Sequence, residues 1–400
     1  MFIDRSGPRD DYFLSLQEAL RQADIASPVL VLDRERLNAN LDFLRADVPS
    51  SLAVRLVSKS LPCLPLLQHA RSALRTDRLM TFNLPMLIDI AREMPDADQM
   101  LGKPMPVAAA AQFFQEDLEP RAYSSVHFLI DTKRRLDAYA GLARSMNRQL
   151  SVVLELDIGL HRGGFEPGPE LAEALQRLAR SSTLTFNGFM GYEAHLAKVP
   201  TLGGWRTRWV ARAGALYRKA NTMAAEIFGE RAVSKALRNV AGSPTYRFYR
   251  DDRVANEISI GSALVKPTDF ETDLLEPYQP ALFVATPALK VLPTTRIPVL
   301  EALDRVKRWL DPNLAQAVFI HGGYWKAHPV DPPGLRTNAT YGRSTNQELL
   351  NVGSRTHLEA DDFVFLRPTQ SEAVMLQFGR IAVYDSGSIR DLWPTLPASA

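Results

Sequence analysis

The sequence predicts an α/β protein: a (β/α)8 TIM barrel followed by a second, mostly β domain. Three observations carry that expectation. Between residues 29 and 266 short β-prone runs alternate with segments of helical periodicity. Such alternation implies a parallel sheet, and eight rounds of it suggest closure into a barrel. After Lys266 the pattern changes to β-like runs separated by Pro, Gly and Asp turns. Finally, 400 residues are more than one ordinary core needs, so two domains are expected.

Taken in order, barrel strands are expected at 29–32, 53–57, 79–82, 126–130, 151–157, 185–192, 237–240 and 258–264. Helices are expected at 34–45, 61–73, 85–93, 132–146, 167–181 and 205–228. An open doubly wound sheet is the competing fold, but no Gly-x-Gly-x-x-Gly follows the first strand, as a dinucleotide-binding sheet would want. In the second domain strands are expected at 281–292, 317–320, 363–366, 373–378 and 381–384, with one helix at 300–310. The boundaries that follow are 27–266 for the barrel and 267–400 for the β domain. The Pro-rich tail after Trp393 is expected to be a loosely held end.

With 47 basic and 45 acidic side chains the formal charge is +2, and nothing in that balance calls for nucleic acid or an acidic membrane surface. The single cysteine, Cys63, excludes an intrachain disulfide, fits a reducing cytoplasm and is expected to be a buried, inert thiol. The N-terminus has no apolar stretch of signal-peptide length, and no window reaches the ~18 apolar residues of a membrane span. A soluble cytoplasmic protein is the expectation.

Chemistry is expected at strand ends. The run Ala53-Val54-Arg55-Leu56-Val57-Ser58-Lys59-Ser60-Leu61-Pro62 is the layout of a barrel strand delivering a lysine to the C-terminal mouth, where such barrels place their sites. A lysine held there among apolar neighbours loses hydration of its ammonium form and becomes a Schiff-base nucleophile or proton acceptor. A surface lysine at a strand end is the plain alternative. Arg162 follows another strand end, and a guanidinium suits a permanent hydrogen bond to an anionic oxygen; an ordinary Asp157–Arg162 surface pair is its alternative. Tyr192 and His195 close a third strand, where an aromatic ring can pack a flat heteroaromatic and an imidazole can move a proton near neutral pH. A histidine merely satisfied at a strand end stays open. Two Gly/Ser stretches, Ala241-Gly242-Ser243-Pro244-Thr245 and Ile260-Gly261-Ser262, follow the last two strands, the recurrent phosphate site of such barrels.

These runs have company. Ser27-Pro28-Val29-Leu30-Val31-Leu32-Asp33, the lysine strand, Glu155-Leu156-Asp157-Ile158-Gly159-Leu160-His161-Arg162-Gly163-Gly164, Gly191-Tyr192-Glu193-Ala194-His195 and Trp393-Pro394 occur in the order familiar from one family. From Ser27 to Pro394 the chain resembles the fold-type III pyridoxal-phosphate enzymes, in the branch of D-threonine aldolase and D-serine dehydratase, related to alanine racemase. The resemblance implies that Lys59 carries pyridoxal 5′-phosphate and that Arg162 contacts its phenolic oxygen. Tyr192 would pack the ring, and Gly242, Ser243, Thr245, Gly261 and Ser262 would hold the phosphate. His195 would take the proton of a substrate hydroxyl. It further implies a homodimer, and residues 1–26 packed on the β domain.

The implied function is a pyridoxal-phosphate-dependent amino-acid lyase acting on a β-hydroxy-D-amino acid. A racemase is the alternative, and a non-catalytic pyridoxal-phosphate carrier the second; such carriers lack a β domain. The chain also departs from the branch. Gln370-Ser371-Glu372 stand where that branch has a His-x-Cys or His-x-Asp metal pair, so Gln370 and Glu372 suit Mg or Mn rather than zinc, if any metal. Glu193-Ala194 replace a small residue and glycine, and the histidine and second lysine that flank the family's lysine are missing. The 321–326 and 340–344 segments are expected to reach over the barrel mouth and bind the substrate carboxylate, with exposed loop decoration as the alternative; His357 aligns with a family histidine.

Overall fold

The computed structural model describes residues 2–251, 253–296 and 310–398. They divide into two compact units, one built mainly from Leu41–Ala263, the other from Leu264–Glu271, Tyr278–Thr395 and the N-terminal segment up to Asn40. The expected helix at 300–310 lies, apart from Leu310, outside the described residues.

The first strand, β1 (Val29–Asp33), is buried on both faces. It is not a barrel strand, contrary to the reading of residues 29–32 above: it pairs antiparallel with Leu282–Leu292 and parallel with Arg380–Asp385 of the other unit's sheet. A Val-Leu-Val-Leu run covered on both faces has the same pattern in either sheet, so periodicity could not choose between them.

Eight other strands close the barrel: β2 (Ala53–Val57), β3 (Arg78–Thr81), β4 (Asp98–Leu101), β5 (Val126–Ile130), β6 (Leu150–Leu156), β7 (Leu184–Gly191), β8 (Leu237–Val240) and β9 (Glu257–Ile260). All neighbouring pairs are parallel, including the closing pair of β2 with β9. The eighth member that the sequence hid is β4. Its Asp-Gln-Met-Leu has no β-branched residue, and only its last three positions are buried. Two of the helices between strands, Leu84–Glu93 and Lys133–Ser145, begin on side-chain caps. Asn83 accepts the N–H of Met86, and Thr132 that of Arg135. The long helix Trp205–Phe228 packs Tyr217 into the barrel wall, its hydroxyl donating to the carbonyls of Phe189 and Asn239.

The N-terminal half of the barrel interior is ionic. Arg55 is fully buried and donates to both carboxylate oxygens of buried Glu257 at 2.6 and 2.9 Å, to Asp98 at 3.0 Å, and to the carbonyls of Leu79 and Asp98. Asn239 and Arg78 complete the shell around Glu257. Burial would raise the Asp98 carboxyl, but the His127 hydrogen bond and the Arg55 charge outweigh it and hold Asp98 well below the usual carboxylate range. This network spans the starts of β2, β3, β4 and β9, at the barrel end opposite the one where Lys59 emerges.

The other unit is a nine-stranded sheet, adding to β1 the strands β10 (Leu282–Leu292), β11 (Gln316–His321), β12 (Ala327–Asp331), β13 (Arg336–Thr337), β14 (Gln347–Val352), β15 (Phe363–Pro368), β16 (Arg380–Asp385) and β17 (Ser388–Pro394). The N-terminal helix α1 (Asp11–Gln22) lays Leu16, Ala19 and Leu20 on Val29, Val31, Phe283, Ala285, Phe363 and Phe365 of this sheet. Two expectations fail. Residues 373–378 do not form a strand; Glu372–Met375 is a short helix, because apolar residues in so brief a run carry no decisive period. The tail is also held: Trp393 and Pro394 belong to β17, and buried Leu396 donates its N–H to the carbonyl of Pro62.

Candidate active site

At the C-terminal end of the barrel the strand ends bring together every barrel residue singled out in the sequence. Directly after β2 the chain makes a 3-10 turn over Ser58–Ser60. Ser58 and Ser60 take its buried positions, and Ser58 donates to the carbonyl of Met80 at 2.8 Å. Lys59 therefore points out of the turn. It is exposed rather than enclosed by apolar neighbours, with its ammonium 4.9 Å from the centre of the Phe82 ring. Cys63 next to it is buried, and burial pushes its thiol up to about 11, as suits an inert side chain.

After β6 the Asp157 carboxylate organises the turn. It accepts the N–H groups of Gly159 (2.9 Å) and His161 (3.0 Å) and the His161 Nδ1 at 3.0 Å. Asp157 thus pairs with His161, and Arg162 is left to face Tyr192, its guanidinium 5.2 Å from the ring centre. Burial raises the Glu155 carboxyl, against the pull of the Arg162 charge.

β7 ends at Gly191, and Tyr192, Glu193 and His195 beyond it diverge. Tyr192 lies directly over Gly242, where an added Cβ would come within 2.8 Å of its ring. Glu193 turns inward and is completely buried. His195, in a 3-10 turn over Ala194–Lys198, sets its ring edge near Gly159, 3.8 Å from where a Cβ would stand there. Its Nδ1 is buried without a hydrogen-bond partner. Burial first, then the nearby His161, lower its pKa against the opposing pull of Asp157, so the imidazole is neutral near pH 7.

The two Gly/Ser loops are tied to each other. Ser243 Oγ collects the N–H groups of Gly261 (3.1 Å) and Ala263 (3.0 Å), and Thr245 Oγ1 takes that of Gly242 at 3.3 Å. Ser262 donates to Ser60 at 3.0 Å, which links the second loop to the lysine turn. A side chain at Gly261 would meet Ser60 and Val57 Cβ atoms at 2.7 and 2.9 Å. The amides of Gly242, Gly261 and Ala263 are thus taken by hydroxyl oxygens of the loops themselves, and the two glycines let Tyr192 and the lysine turn pack closely on those loops.

Residues 32–269 match the family model described as the alanine racemase N-terminal domain. The chain belongs to the alanine racemase N-terminal domain family. Among solved structures it is similar to D-threonine aldolase from Filomicrobium marinum, at 19% identity over 93% of this chain and 95% of that one, with a TM-score of 0.74. A D-threo-3-hydroxyaspartate dehydratase follows at 14% identity, 97% and 99% coverage and a TM-score of 0.68. An alanine racemase from Clostridium difficile 630 shares 12% identity over 92% and 98%, with a TM-score of 0.68. No curated protein sequence matches the chain.

Members of this alanine racemase superfamily are pyridoxal-phosphate-dependent enzymes, among them aldolases, dehydratases and racemases. The residues present fit that cofactor: an exposed lysine after β2, an arginine after β6 facing a tyrosine after β7, and two Gly/Ser loops rich in hydroxyl and amide donors. A metal at Gln370 and Glu372 does not fit. The Gln370 Oε1 accepts the Lys326 ammonium at 2.7 Å, its Nε2 donates to Asp269 at 2.9 Å, and a cation there would sit against that ammonium.

In the β-sheet unit one buried carboxylate ties the 321–326 and 340–344 segments together. Glu348, almost fully buried, accepts the Tyr324 N–H at 2.6 Å and pairs with Arg343, which also donates to the Trp325 carbonyl. His357 is exposed, 3.5 Å from Glu359. Sequence reasoning treated Glu193 only as a departure. The signal that could have drawn it out is a carboxylate placed between a tyrosine and a histidine at the end of an apolar strand.

Proposed function

We propose that the protein is a pyridoxal-phosphate-dependent lyase that cleaves the Cα–Cβ bond of a β-hydroxy-D-amino acid. The observation that carries this reading is His195: a half-buried imidazole three residues after Tyr192, its ring edge set near Gly159 and its pKa lowered by burial. Lys59 would hold the cofactor covalently, Tyr192 and Arg162 would flank its ring, and Gly242, Ser243, Thr245, Gly261 and Ser262 would receive its phosphate. Pyridoxal phosphate, when bound, supplies an electron sink for the pair released at Cα.

The chain's own part is proton traffic and placement. His195 takes the β-hydroxyl proton; the O–H and Cα–Cβ bonds break, a carbonyl forms at Cβ, and Cα gains a proton, giving an aldehyde and glycine. A neutral imidazole accepts that proton without metal help, which suits a chain whose Gln370 is already engaged by Lys326. In this reading the enzyme works as a homodimer in a reducing cytoplasm, where buried Cys63 stays a thiol.

The test is turnover of D-threonine before and after chelation, with metal analysis. Equal amounts of glycine and acetaldehyde, unchanged by chelator, are expected. Stoichiometric zinc with chelator-sensitive release of ammonia and keto acid would replace this reading with dehydration, and Cα–H exchange without cleavage would replace it with racemisation.

A further inference from the structure

Glu193 is a buried carboxyl at the barrel mouth that the reaction above does not use. Both of its oxygens are committed to the loop after β8. Oε1 accepts the Thr245 hydroxyl at 2.6 Å, and Oε2 accepts the Ala241 N–H at 3.3 Å. That loop is unusual at the same two places. Ala241 has a φ of +65°, in the left-handed region that costs a residue with a Cβ about 1 kcal/mol, and Thr245 in turn receives the Gly242 N–H. Glu193 therefore holds a strained loop from behind, while its neighbour Tyr192 covers the loop's glycine from in front.

We propose that Glu193 is a positioning residue that holds the 241–245 loop in its anion-binding conformation as the neutral acid, so that binding of a phosphate monoester there and protonation of Glu193 are linked. The proposal rests on the cofactor reading given above, and concerns how its phosphate is held.

The physical case has two parts. First, a carboxylate behind the loop would oppose a dianionic ester in front of it, whereas the neutral acid removes that repulsion and still offers its carbonyl oxygen as an acceptor. Second, nothing nearby stabilises the charged form beyond those hydrogen bonds. The titratable groups facing Glu193 are Tyr249 of the turn that follows the loop and Tyr217 of the long helix, with Tyr192 and His195 on its own segment. Burial pushes the Tyr217 phenol well above its ordinary value, and among the described residues no cation pairs with Glu193. Burial likewise pushes the Glu193 carboxyl up to about 7, against the hydrogen bonds from Thr245, Ala241 and Tyr249. The sign follows: raising pH ionises Glu193 and weakens the ester, and binding the ester draws a proton onto Glu193.

The experiment uses the whole chain freed of cofactor and 4′-deoxypyridoxine 5′-phosphate, which lacks the aldehyde that would react with Lys59. Kd is measured between pH 6.5 and 8.5, where the ester is already mostly dianionic. For the native chain Kd is expected to rise with pH, approaching about tenfold per pH unit once Glu193 titrates. Glu193→Gln removes the titrating proton but keeps only one acceptor oxygen for the two donors, Thr245 and Ala241, so it should bind more weakly than the native chain at low pH and with a flat profile. Glu193→Ala should bind about tenfold or more weakly at every pH, because Thr245 and Ala241 lose their acceptor. A Glu193→Gln profile parallel to the native one, or native binding by Glu193→Ala, overturns the proposal. A native pH slope that persists with 4′-deoxypyridoxine, which has no phosphate, also overturns it. If the native chain binds the ester at no pH, the cofactor reading falls together with the linkage, whereas native binding with indifferent variants removes the linkage alone.

Discussion

At the scale of single residues the proposed site divides labour between a group assigned to move a proton and groups that leave space. His195→Ala is expected to lower kcat by roughly 10²–10⁴-fold while the protein keeps its cofactor absorbance. The imidazole's lowered pKa also gives a sign: the acid limb of kcat/KM should fall below the ordinary histidine value of about 6.5, since the neutral base survives to lower pH. An apo or fully active variant, or an acid limb above that value, would remove His195 from its role. Gly242→Ala and Gly261→Ala test space instead. Their new Cβ atoms would lie 2.8 Å from the Tyr192 ring and 2.7 Å from Ser60, so both should lose cofactor affinity at least tenfold by equilibrium dialysis. Lysine, histidine and the glycines were legible because residue type and strand-end position together name a chemistry. Glu193 was not, because its work depends on Thr245 and Ala241, some fifty positions away, and no local pattern announces a partner at that distance.

Among elements, the barrel shows where periodicity is informative and where it stops. Runs such as β5 and β6 are long, apolar and mostly buried, and they read directly as strands. β4 is short and begins on a carboxylate whose task is to meet Arg55 across the barrel, so its polarity is tertiary in origin and hid the strand. That same network makes a stability prediction. Arg55 and Glu257 are both fully buried, and removing one leaves the other with a single remaining ionic partner, Asp98 or Arg78, so the cost is expected to reach at most about 3–5 kcal/mol. Arg55→Met and Glu257→Gln should each lower the free energy of unfolding measured in urea by up to that amount, and the double variant should cost less than the sum of the two. Additive losses would mean that the pair is not coupled. The depressed Asp98 carboxyl adds a pH sign: its contribution is present above the unfolded value of about 3.9 and is lost only as pH falls towards its lower folded value.

For the whole molecule, the order of the chain is not the order of its units. The N-terminal helix α1 and the strand β1 precede the barrel in sequence but belong to the β-sheet unit, so the chain starts that sheet, builds the barrel and returns to finish the sheet. A sequence reading sees the return after Lys266, where composition changes. The resemblance implies residues 1–26 on the β domain, but it sets the departure before β1 rather than after it, because an apolar strand following a helix suits either sheet. The consequence is testable by truncation. Removing residues 2–22 would uncover Val31, Phe283 and Phe365 beneath Leu16 and Leu20, and each of those leucines contributes about 1.5–3 kcal/mol through burial. It would also delete Arg9, which donates to Asp331 at 2.6 Å and to the carbonyl of Phe363, and leave the Asp331 carboxylate buried without its cation. The truncated chain is therefore expected to lose several kcal/mol in the sheet unit, seen as an earlier calorimetric transition and increased binding of an apolar dye, with the barrel's transition unchanged. A truncated protein whose sheet unit melts with the full-length one would show that α1 covers a surface stable without it.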